Sequence, residues 1–81
     1  MTGPKYSLYE GAVRSGLTYD EIWTQQAVFG GAAGRLEIEA YVLGLLTPDP
    51  HQHDLIAQAI NEYFLDHGQD HPVAYSSPVP E

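Results

Sequence analysis

Four histidines, at positions 51, 53, 67 and 71, and eleven aspartates and glutamates are the side chains with the most obvious chemical potential. A zinc-type site needs at least three ligands held together. On a helix, residues two apart such as His51 and His53 point about 200° away from each other. His67 and His71 are four apart, but Gly68 lies between them and ends a helix. The histidines therefore read as solvated imidazoles, and no metal is expected. The carboxylates come in near pairs, Asp20 with Glu21 and Glu37 with Glu39. Acid and base catalysis needs two carboxyl groups on one cavity with separated pKa values. Residues one or two apart on a helix do not face each other. All four lie near helix starts, where the helix dipole favours negative charge. Gly30 to Arg35, GGAAGR, has the glycine content of a phosphate-cradling loop but lacks its lysine. It reads as a linker. No catalytic residue, no enzyme activity and no cofactor are expected.

The charge balance narrows the partners. Eleven acidic residues stand against three Lys and Arg, a formal net charge of -8. Phosphate backbones and anionic lipid surfaces are repelled by such a chain. Neither nucleic acid nor membrane is expected as a partner. A basic protein is the charged partner that fits, with solubility as the plainer use of the charge. The absence of cysteine suits a reducing cytoplasm, and MTGPKYSLYEGAV shows no apolar run that would read as a leader. A cytoplasmic location is expected.

Positioning these residues calls for helices. Leu36 to Leu46, LEIEAYVLGLL, is apolar nearly all round when plotted at about 100° per residue, so it is expected to be the buried central helix. Before it, Ser7 and Glu10 have capping-box spacing, and a short first helix is expected from Leu8 to Arg14, stopped by Gly16. Thr18 and Glu21 repeat the box, with Leu17 and Ile22 spaced as a hydrophobic staple. This second helix should run from Tyr19 to Phe29. After the break at Thr47-Pro48, Asp49 caps a fourth helix from Pro50 to His67, whose stripe is Leu55, Ile56, Ala59, Ile60, Tyr63 and Phe64. Arg35 and Glu39 are four apart and are placed to pair. The expected fold is all-α: a small four-helix bundle, its first helix short, around a central hydrophobic helix 3. Residues 1–6 are expected to be a flexible N-terminus, 7–68 the helical domain, and 69–81 a disordered tail rich in proline. Removing Asp70 to Glu81 should leave the melting temperature nearly unchanged.

GLTYDEI, residues 16–22, resembles the start of the second helix in helix-turn-helix proteins. The resemblance implies a recognition helix next, with basic or amide side chains for base edges. LEIEAYVLGLL stands there instead, so a helix-turn-helix-like nucleic-acid-binding regulator is the alternative reading. The main expectation is a protein-interaction or regulatory module acting through apolar helix faces. A chain of 81 residues buries only roughly 60% of its unfolded surface, and helices two and four carry broad apolar stripes. A homodimer or hetero-complex is expected, with Trp23, Tyr63, Phe64 and Leu65 at the contact. Gln26 falls within an apolar arc and Glu39 among leucines. Each is read either as locally satisfied, by a loop backbone or by solvent at the bundle edge, or as part of the partner surface.

Overall fold

The computed structural model describes residues 5–76. Four helices follow in order: α1 (Leu8–Ser15), α2 (Tyr19–Val28), α3 (Arg35–Leu43) and α4 (Pro50–Asp66). Their starts are written in local chemistry. Ser7 and Thr18 accept the N–H of Glu10 and Glu21, and those glutamates accept the cap N–H in return. Asp49 accepts the Gln52 N–H at 2.8 Å with Pro50 at the first helical position. Each arrangement satisfies backbone donors that have no partner within their own helix.

The arrangement differs from the expected one. Both α1 and α2 pack against α4 and against α3. The helix that carries the core is α4, which buries Ile56, Ala57, Ala59, Ile60, Asn61 and Phe64. α3 buries only Ile38 and Val42, while Leu36 and Leu43 on it are exposed. The expectation of a central helix 3 is therefore corrected. Gly44 takes a left-handed conformation (φ 81) and closes α3 at Leu43. Leu45 and Leu46 leave the helix, so the apolar wheel drawn through residue 46 joins residues that share no axis. Two turns and a half of helix also present one packed stripe, however many leucines they carry.

The chain beyond α4 is the second departure. Gly68 (φ 83) and His71 (φ 50) take left-handed backbone and turn the chain back over α4. Val73 is fully buried and Pro72 is buried. Buried Asn61 holds Val73 at both ends: its Nδ2 donates to the Val73 carbonyl at 3.1 Å, and its Oδ1 accepts the Val73 N–H at 2.8 Å. Tyr6 pairs with Val73 in a parallel bridge, donating its N–H to Pro72 O and accepting that of Ala74. The strap then runs towards the start of α4. Tyr75 donates to Gln58 at 2.8 Å, and Ser76 donates to Asp54 and to the Pro50 carbonyl. The segment 69–76 is thus docked, and Tyr6 with it. Residues 1–4 and 77–81 of the expected flexible ends lie outside the described residues.

This strap covers apolar surface that the sequence left open. A Cβ on Gly11 of α1 would lie 2.5 Å from Val73 Cγ2 and 3.2 Å from Ile60 Cγ2. Only glycine there lets α1, α4 and the strap meet. Tyr6 packs on Phe64 with ring centroids 5.7 Å apart, under the Arg14 guanidinium. The broad stripe of α4 is closed by the ends of its own chain.

Candidate interaction surface

The six residues expected at a partner contact do not form one site. Gln26 is fully buried and Phe64 nearly so, which removes both from any contact surface. Gln26 Nε2 donates to the Trp23 and Ala33 carbonyls, and its Oε1 accepts from Gln52 Nε2 at 2.9 Å. It ties α2, the GGAAG linker and the first turn of α4 together, which is the loop-backbone role allowed for it. Phe64 is core between Tyr6 and Tyr63. Tyr63 and Glu39 are half-buried on α4 and α3. Trp23 and Leu65 are exposed at 39% and 40%. Arg35 pairs with Asp20 of α2 rather than with Glu39, because the tertiary packing of α2 on α3 offers it a carboxylate.

The histidines are scattered. His51 is exposed at the start of α4, and His53 Nδ1 lies 3.3 Å from Asp54. His67 stacks on Tyr63 at 4.0 Å, and His71 sits beside Asp70. Among the described residues, no three His, Cys, Asp or Glu side chains converge as a metal site would require. Burial acts to raise the pKa of Asp54, but the Ser76 N–H and the neighbouring His53 outweigh it and hold the carboxyl below its ordinary value. That carboxylate anchors the strap.

Besides Trp23, Val28 and Leu65, exposed apolar residues lie on α1 and on and just beyond α3. Tyr9 and Val13, one turn apart on α1, are 52% and 60% exposed, and Leu43 at the end of α3 and Leu46 just beyond it are 42% and 51% exposed. Two shallow depressions join them. One of about 310 Å³ lies between Tyr9, Tyr41, Leu43 and Leu46, reaching His53. The other, about 430 Å³, is lined by Tyr9, Ala12, Val13, Leu17, Tyr19 and Val42. Tyr9 and Val42 line both, so the two adjoin. The signal was present in the sequence as Leu8, Tyr9, Ala12 and Val13, which cover more than one face of a two-turn helix. A helix that short has one side to bury, and the strap and α4 take it.

Leu17 also lines a third groove, of about 500 Å³, between α2 and α4. Asp20, Glu21, Glu62 and Asp66 rim it over a floor that includes Ala59 and Tyr63. Glu21 is engaged with the Thr18 cap and Glu62 with Gln58. No lysine or arginine lines any of the three depressions. Among the described residues, no helix is long and apolar enough to cross a membrane. Comparison of the chain with protein-family models, curated protein sequences and solved structures finds no match.

Proposed function

We propose that this chain is a small acidic, cytoplasmic protein-interaction module without catalysis, whose contact surface is the α1/α3 face. The observation that carries the reading is the clustering of exposed Tyr9, Val13, Leu43 and Leu46 around two adjoining depressions between α1 and the end of α3. Single exposed leucines need no explanation, whereas joined apolar patches mark contacts. The surface differs from the one expected at Trp23, Tyr63 and Leu65: Tyr6 and the strap pack on the α4 core, and Trp23 and Leu65 line none of the three depressions.

Site-specific crosslinking tests the reading. A photoreactive phenylalanine analogue placed at Val13 or Leu46 should give a discrete protein adduct in the source cell. The same group at exposed Ala32, in the α2–α3 linker where no residue lines these depressions, should not. Adducts at Ala32 alone, or none at 13 and 46, would overturn the assignment of the α1/α3 face.

A further inference from the structure

We infer that the occupant of this surface is a cationic amphipathic helix of another protein. This rests on the α1/α3 reading above and deepens it.

The shape and the charge of the surface argue together. Its apolar part is a trough between two helices, the setting in which one face of an amphipathic helix is received. Leu17 is the hinge of the argument. It lines both the apolar trough and the acidic groove, so the two lie side by side. A segment with an apolar stripe can seat on Tyr9, Val13 and Leu46, while its basic side chains reach past Leu17 to Glu62 and Asp66. No lysine or arginine lines these depressions, and Arg35 at the rim is paired with Asp20, which leaves Glu62 and Asp66 for such cations. Arg14 is engaged with the Tyr6 ring.

The same charge argues against the other occupants. A second copy brings a further net charge of -8. An anionic lipid surface or a nucleic acid meets carboxylates where it needs cations. A cationic helix gains apolar burial and loses no charge complementarity.

The test uses the full chain and a synthetic amphipathic peptide of leucine and lysine, about five helical turns long, or ~27 Å. A peptide of the same composition with its apolar face scrambled is the control. Titration calorimetry should show binding of the amphipathic peptide with affinity at least tenfold above the scrambled one. Val13→Asp combined with Leu46→Asp should weaken it about tenfold or more, as loss of an apolar anchor does. Glu62→Gln with Asp66→Asn should weaken it a few-fold and flatten its salt dependence, the scale of exposed ion pairs. Circular dichroism confirms that each variant is folded. Val13→Ser with Leu46→Ser supplies a milder apolar change should the aspartates unfold the chain.

Equal binding of amphipathic and scrambled peptides, or loss in the charge variant with none in the apolar variants, would overturn the inference, since acidity alone would then explain the binding. Concentration-dependent dimerisation by light scattering, abolished by Leu46→Asp, would overturn it in favour of a second copy. Absence of peptide binding together with crosslinks at 13 and 46 would remove the cationic helix and leave the α1/α3 interface standing. Absence of both would remove the interface as well.

Discussion

Gln26 shows how a polar residue inside an apolar arc can be a structural requirement. Its amide is fully buried, and three partners on three segments use it. Gln26→Ala strands the Ala33 carbonyl and the Gln52 amide, and stranded buried groups cost about 1–3 kcal/mol. Urea denaturation should record a loss in that range. A loss below about 0.5 kcal/mol, the scale of ordinary surface substitutions, would show that water replaces these bonds freely. Gly11 predicts an inverted sign. Glycine to alanine inside a helix ordinarily stabilises by roughly 0.5–1 kcal/mol. Here the added methyl meets Val73 Cγ2 at 2.5 Å, and overpacking of this kind costs about 1–3 kcal/mol. Gly11→Ala should therefore lower the melting midpoint. A rise would mean that the strap does not press on α1.

At the scale of elements, the division between α3 and α4 can be measured. Ile60 is fully buried on α4, and Leu43 is 42% exposed on α3. Ile60→Ala should cost about 2–5 kcal/mol through lost transfer energy and the cavity left behind. Leu43→Ala should cost about 1 kcal/mol or less, since much of its surface already faces water. Equal losses in paired denaturation curves would restore α3 to the core. The strap supplies the second element-scale prediction. Burying a valine contributes about 1.5–3 kcal/mol, and Asn61 loses both bonds to Val73 if the strap is removed. A chain ending at Gly68 should melt at least roughly 10 °C lower than the full chain, taking about 4–8 °C per kcal/mol for a domain of this size. A midpoint unchanged to within a degree or two would mean that residues 69–76 are dispensable, as their composition suggested.

The whole molecule carries a net charge of -8 within dimensions of 36 × 27 × 23 Å. At about 0.01 M salt the Debye length is about 30 Å, and at about 0.1 M it is about 10 Å. The charges thus act on one another across the whole body in dilute buffer and only locally at moderate salt. Self-repulsion weakens the compact state. Raising sodium chloride between those concentrations should lift the thermal midpoint by a few degrees. A fall would mean that favourable pairs such as Arg35 with Asp20 outweigh the repulsion.

Local order was legible because it is written within a few residues. The capping boxes at Ser7 and Thr18, the Asp49-Pro50 start and the stop at Gly16 each rest on neighbours three or four positions apart. The all-helical class and the four helices follow from those signals and from helical spacing. What covers what was decided by tertiary structure. LEIEAYVLGLL looked central because apolar content predicts the wish to be buried, not the supply of neighbours, and Gly44 cut it short. DHPVAYS looked loose because three of its backbone partners, Tyr6, Asn61 and Asp54, lie at least twelve residues away. Once that strap occupies the α4 stripe, the exposed apolar surface includes α1 and the end of α3 besides Trp23, Val28 and Leu65. The sequence sets how much apolar surface there is; long-range pairing of Asn61 with Val73 determines which of it remains open.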